Sequence, residues 1–156
     1  MGSSDLKLEV DHSVRIKKPA AVIFGAISSP EHLNRYFTSN AVGCLEVGSS
    51  CHWEWTDHNE QVPIKVIESD PPKRLVFQWP THNKKYLTTV QFDLDDQGEK
   101  GTIVRVREGS WTTDSEGLSN SYDNSGGWMH MLCCLKAYLD FNLDLRSKPI
   151  PENWAK

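Results

Sequence analysis

Glu68–Pro80 reads ESDPPKRLVFQWP. An acidic turn and two consecutive prolines lead into a run in which Leu75, Phe77 and Trp79 occupy alternate positions. Proline fixes φ and withdraws a backbone donor, so Pro71-Pro72 mark where a strand begins. Alternation at period two then places the three large side chains on one face. Whether that face fills a core or walls a cavity depends on the rest of the chain.

Working outward, Ala41 to Gly109 reads as antiparallel strands. CHWEW carries Cys51, Trp53 and Trp55 on one face, followed by a turn at Thr56-Asp57-His58-Asn59. VPIKVIE carries Val62, Ile64 and Val66 on one face, which Glu68 continues. After the proline turn come RLVFQW, YLTTVQFDLD and GTIVRVRE, separated by Thr81-His82-Asn83 and Asp95-Asp96-Gln97-Gly98. Strands with one polar side and turn residues between them make a meander with one wet face.

The flanks differ. Leu6, Leu8, Val10, His12, Val14 and Ile16 alternate with polar residues, which predicts a half-buried first strand. Pro19 opens a short helix, PAAVIFGAIS, and Ser29-Pro30-Glu31 opens a second, SPEHLNRYF. Residues 110–124 are rich in Ser, Thr, Asp and Asn and read as a loop. From about Ser125 to Arg146, apolar residues recur at Trp128, Met131, Leu132, Leu135, Leu139 and Leu143. That is one stripe of an amphipathic helix roughly 30 Å long, with Asn124 or Ser125 as its cap. Residues 147–156 read as an irregular tail.

The expectation is an α+β fold with one domain over residues 1–156 and its core over about 6–146. A curved antiparallel sheet of about six or seven strands wraps around a long C-terminal helix, with two short helices after the first strand. At 156 residues such a chain buries on the order of 70% of its unfolded surface, enough to need neither disulfide nor metal.

The net charge of −4, with Lys17-Lys18 and Lys84-Lys85 the only lysine pairs, argues against nucleic-acid binding. No apolar run reaches the length of a membrane span, and no signal peptide opens the chain. Cys44, Cys51, Cys133 and Cys134 show no CxxC spacing, so free buried thiols in a reducing, cytoplasmic setting are expected. Cys51 and His52 point to opposite faces, and His130 and Cys134 lack a third ligand, so no metal is expected. No GxxxxGK[ST], GxGxxG or GxSxG occurs, and no cofactor is expected.

The strings IKKPAAVIFGAISSPEHLNRYF, VGSSCHWEW, VIESDPPKRLVFQW, TTVQFDLDDQGEKGTIVRVREGSW and GGWMHMLCCLKAYL follow one another in this order. Together they resemble the activator of heat shock protein 90 ATPase homologue-like family, within the START-like (SRPBCC) helix-grip superfamily. The likeness runs from Leu6 to about Arg146, and departs from the family pattern at Ser49-Ser50, where glycines are usual. It implies a cavity between sheet and helix, of the kind that holds apolar molecules in many superfamily members. It also suggests a gate made by residues 110–124 with the Tyr36-Phe37 region. The co-chaperone that names the family carries an additional N-terminal domain. This chain begins almost at its first strand, so that partner-binding half is expected to be missing.

The expected lining is therefore Tyr36, Phe37, Trp53, Trp55, Val66, Phe77, Trp79, Val90, Phe92, Val106, Trp128, Leu132 and Leu135. Glu108, on the parity of Val104 and Val106, is expected in the lining too, and His12 is a candidate polar pocket group; either would orient one polar group of a ligand. A carboxylate in an apolar pocket has its pKa raised by desolvation. The function these residues point to is non-catalytic binding of a small hydrophobic or amphipathic molecule. The alternatives are a protein-interaction module of co-chaperone or stress-response type, with a chaperone as partner, and a START-like cyclase or hydrolase.

Overall fold

A computed structural model describes residues 5–146; the tail expected over 147–156 lies outside them. The elements are β1 (Val10–Ile16), α1 (Ala20–Ser28), α2 (Pro30–Tyr36), β2 (Asn40–Val42), β3 (Cys51–Trp55), β4 (Glu60–Asp70), β5 (Arg74–Pro80), β6 (Leu87–Asp96), β7 (Thr102–Gly109) and α3 (Ser115–Phe141). The strands form one antiparallel sheet in the order β1-β7-β6-β5-β4-β3-β2. The meander is thus β2 to β7 in sequence, and β1 closes the far edge on β7. This is the helix-grip arrangement, with α3 lying across the inner face.

Alternation sets which side chains face α3. Val62, Ile64 and Val66 of β4, Leu75 and Phe77 of β5, Val90 and Phe92 of β6, and Val104 and Val106 of β7 are all buried. They meet Trp128, Met131, Leu132 and Leu135 of α3. Each large apolar side chain moved from water to this interior contributes about 1.5–3 kcal/mol. The proline turn closes through Lys73 N–H donating to Asp70 O at 2.7 Å, and the Pro71–Pro72 peptide bond is cis.

The two short helices close one side. Asp96 accepts from Ala20 N–H at 3.0 Å, satisfying a donor that the first turn of α1 leaves open. Tyr36 of α2 donates its hydroxyl to Ala26 O at 2.9 Å and stacks on Tyr138 of α3, centroids 5.3 Å apart.

Several expectations are corrected. The 110–124 segment is a loop only as far as Asp114, because α3 begins at Ser115. Asp114, not Asn124 or Ser125, is the cap; its side chain accepts from Gly117 N–H at 2.8 Å. The helix also ends earlier, at Phe141, where Asn142 adopts the left-handed conformation (φ 51°) that terminates helices. Leu143 therefore lies beyond it and is exposed. Glu68 does not continue the Val62–Val66 face. The register of β4 against β5 shifts between Val66 and Glu68, and this bulge turns Glu68 out to solvent. Of the four free cysteines only Cys51 and Cys134 are buried; Cys44 and Cys133 are exposed.

Candidate functional site

Trp128 is where the grip changes character. From there toward its C-terminal end, α3 offers Met131, Leu132 and Leu135, all buried against the sheet. Toward its N-terminal end the same side offers Asn120, Asp123, Asn124 and Gly127. Short polar side chains and a glycine cannot fill the space that a leucine would. A cleft of about 490 Å³ opens between that half of α3 and the sheet.

Its floor is aromatic: Phe37, Trp55, Trp79 and Trp128, with Val62. Trp79 and Trp128 stack at 5.2 Å with ring planes 30° apart. Phe37 sets its edge to Trp55 at 5.2 Å and lies 6.1 Å from Trp128. Around the opening stand His58, Glu60, Pro80, His82, His130 and Arg146. His82 Nδ1 approaches Glu60 Oε1 at 3.5 Å, and Arg146 lies over the Phe37 ring, 5.9 Å from its centroid.

The indoles are fixed by hydrogen bonds as well as by packing. Trp55 Nε1–H donates to Phe37 O at 2.8 Å. Both Trp79 and Trp128 donate to Glu108: Trp79 Nε1–H to Oε1 at 2.7 Å and Trp128 Nε1–H to Oε2 at 2.7 Å. Thr88 Oγ1–H donates to Oε1 at 2.8 Å, and Asn124 Nδ2–H reaches both oxygens at 3.0 Å. One carboxylate on β7 thereby ties β5, β6 and α3 together just behind the cleft. Only 1% of Glu108 is exposed. Burial pushes its pKa above the usual carboxylate range, while the bonds from Trp79, Trp128, Asn124 and Thr88 pull it back without cancelling that rise.

The opening is braced at the turn between β5 and β6. Asn83 and Lys85 both bond to Glu116 in the first turn of α3, Lys85 Nζ at 3.2 Å. Tyr86 Oη accepts from Thr112 N–H at 3.0 Å. A Cβ on Gly117 would sit 1.8 Å from Thr112 O, so only glycine lets the chain fold back this tightly at the start of α3.

Four of the residues expected in the lining, Phe37, Trp55, Trp79 and Trp128, do line the cleft. Trp53, Val66, Phe77, Val90, Phe92, Val106, Leu132 and Leu135 do not line it; they lie in the continuous core, to which Phe37, Trp55 and Trp128 also belong, because the α3 stripe fills the hollow of the sheet there. Tyr36 is buried behind Phe37. Of the two segments expected to form the gate, 115–124 is helical and lends Asn120, Asp123 and Asn124 to the cleft, and Phe37 lines it while Tyr36 does not. Glu108 faces inward but lies one layer behind the lining. His12 is half-buried on the edge strand and shares a 2.8 Å hydrogen bond with Ser125 Oγ, outside the cleft.

His58, Glu60, His82, Gly127 and Arg146 join the lining without a signal in the sequence, Asn120, Asp123 and Asn124 come from the 110–124 segment expected at the gate, and His130 stands out in the sequence only as a possible metal ligand. Most come from turns or from the polar half of α3, where no periodic signal marks them. Among the described residues no three His, Cys, Asp or Glu side chains gather to hold a metal. Nor is any described helix long and apolar enough to cross a membrane.

A seven-stranded sheet gripping one long helix, open at one end over a floor of indoles, defines a helix-grip protein of the START-like class. The model of the family described as Activator of Hsp90 ATPase homolog 1-like protein matches residues 17–140, and the chain belongs to that family. No curated protein matches it significantly. Solved structures share its fold at low identity. Protein SSP2350 from Staphylococcus saprophyticus aligns with TM-score 0.74 and 20% identity over 88% of this chain and 96% of its own. The Aha1 dimer from Colwellia psychrerythraea gives 0.73 and 21% over 85% and 96%. DynU16, from the dynemicin biosynthetic locus, gives 0.75 and 20% over 86% of this chain but only 48% of its own.

Proposed function

We propose that this protein binds a small hydrophobic or amphipathic molecule in the cleft between the sheet and the N-terminal half of α3, without transforming it. The observation that carries this reading is the aromatic floor held rigid over about 490 Å³ of space. That volume lies in the usual range for small-molecule sites, which are mostly apolar with a few placed polar groups. A ligand burying about 200 Å² of apolar surface here gains about 5 kcal/mol before the costs of association. Because both ring positions are already set by Glu108, little of that gain is spent on ordering the site.

Glu108 also supports the non-catalytic reading. Its two oxygens accept from four donors, Trp79, Thr88, Asn124 and Trp128, and the two indoles among them cannot accept in return. A carboxylate so engaged positions rings; it has no free lone pair aimed at a substrate. Likeness to DynU16, a protein of a biosynthetic locus, fits a fold that handles small molecules.

Native mass spectrometry of the protein purified from cells tests the proposal, with wild type compared against Gly127→Phe. A Cβ on Gly127 meets nothing within 4 Å and Gly127 lines the cleft, so a larger side chain there starts into open space. A stoichiometric small-molecule adduct on wild type that the variant lacks supports the reading. A bare mass for both, with no thermal shift from a panel of lipids and aromatic compounds, sinks it.

A further inference from the structure

The guanidinium at the opening narrows the class of ligand. The chain has six arginines, and five of them give their guanidinium to an acceptor. Arg35 pairs with Glu31, Arg74 and Arg107 with Asp93, Arg105 with Asp11, and Arg15 with Gln97 Oε1 and Lys100 O. Arg146 differs. Among the described residues its guanidinium has no carboxylate or carbonyl partner, and it lies over the face of Phe37.

Its position follows from the end of α3. Asn142, in the left-handed conformation, reverses the chain, with Leu143 N–H donating back to Ala137 O at 3.0 Å. Four residues beyond Asn142 the chain has come back along the helix, and Arg146 lines the cleft over a floor ring. A guanidinium is always charged and offers a planar fork of donors suited to a carboxylate. Half-buried at the edge of an aromatic surface and without an acceptor among the described residues, it is open to an anion from the ligand. Of the other ionisable groups around the cleft, Glu60 is already approached by His82 at 3.5 Å, and Asp123 stands on the first half of α3.

We infer that the cleft takes an aryl carboxylate: its carboxylate pairs with Arg146, and its rings lie against Trp79, the half-exposed indole of the floor. The floor favours flat rings over a flexible chain, because that indole is planar and held in place by its bond to Glu108. This inference rests on the binding function proposed above, but it can fail separately.

The test is calorimetric titration of the whole protein with 2-naphthoate and with its neutral partner 2-naphthamide, at low and high salt. Wild type is expected to prefer the naphthoate by about ten-fold at low salt, as one charge-assisted hydrogen-bonded contact implies, and to lose part of that preference in high salt. In Arg146→Gln the two affinities should converge, while Arg146→Lys keeps part of the difference. The ratio of affinities is the readout, so a small general loss of stability does not imitate the result. Equal binding of both probes to wild type, or an unchanged ratio in Arg146→Gln, overturns the role of Arg146 and leaves the binding function standing. Binding of decanoate in place of either naphthyl probe overturns the aryl class. No binding of any probe, where native mass spectrometry still finds an adduct, overturns this inference alone.

Discussion

Phe77 and Trp79 sit two residues apart on the same face of β5, yet they belong to different regions of the molecule. Phe77 is fully buried, packed edge-on to Trp53 and stacked on Phe92. Trp79 is half-buried and forms part of the cleft floor. Nothing on β5 accounts for the difference. The helix opposite does, because the α3 stripe of Leu132 and Leu135 closes over Phe77, whereas Asn124 and Gly127 stand back from Trp79. The cavity of this grip fold is thus made by what the helix leaves out.

The largest effect expected from that contrast is on stability. Phe77→Ala should cost about 3–5 kcal/mol, since it removes a fully packed ring and leaves a void. Trp79→Ala should lose less packing, because part of its ring already faces the opening, but it also removes a donor to Glu108, and it should abolish the native adduct. Urea denaturation of the two variants side by side measures the losses, and native mass spectrometry the adduct. An adduct retained by Trp79→Ala would mean that its ring is no part of the cleft floor.

Glu108, behind that floor, offers the next effect. Glu108→Gln puts an amide NH2 against one of the two indole N–H groups, which donate to different oxygens and cannot accept, leaving Trp79 or Trp128 unsatisfied. The expected loss is about 1–3 kcal/mol, offset in part by removing a buried charge. The pH dependence separates the two contributions. Since burial raises the folded pKa above the unfolded value, the native state binds the Glu108 proton more tightly than the unfolded chain does. The stability linked to this group is fully present below the unfolded carboxylate pKa and is lost as pH rises through the folded pKa. Wild-type stability should therefore contain a component that falls with rising pH in that window, and Glu108→Gln should lack it. Chemical denaturation across that range, with near-ultraviolet circular dichroism to follow the indoles, detects both. Identical pH profiles would show that folding does not shift the Glu108 pKa.

How much of this was legible from the chain depends on where the physics is local. Alternation in β4 to β7 is a direct consequence of one buried face, and it put Phe77, Phe92 and Val106 on the inward side, but parity alone does not tell core from cleft lining, and all three belong to the core. The same parity placed Glu108 inward, and its four-donor cage became visible only once β5, β6 and α3 had come together around it. Parity failed at Glu68, where a bulge turned the strand over. The start of α3 was misplaced because Ser115–Ser125 is helical with little apolar surface to bury, so no stripe marks it. The cue was chemical: Asp114 followed three residues on by Gly117, with Glu116 in the first turn. Arg146 lay beyond any such reasoning, since its place depends on a reversal at Asn142 and not on its own neighbours.

The smallest effect is the sharpest probe of the helix itself. Gly126 and Gly127 sit mid-helix in α3, where glycine costs about 0.5–1 kcal/mol relative to alanine. A Cβ on either would meet nothing within 4 Å, so neither is required for close packing. They differ in where they look: Gly127 lines the cleft and Gly126 does not. Both Gly126→Ala and Gly127→Ala should therefore raise the melting temperature, by about 2–4 °C for each kcal/mol gained, as read by scanning calorimetry. Only Gly127→Ala should alter what the protein retains in native mass spectrometry, since one methyl group there narrows the space above Trp128. If Gly126→Ala changes the adduct equally, the pair serves the helix and not the cleft. If Gly127→Ala destabilises while Gly126→Ala stabilises, the wall opposite stands closer than the space around Gly127 allows, and helix and sheet meet where the cleft has been placed.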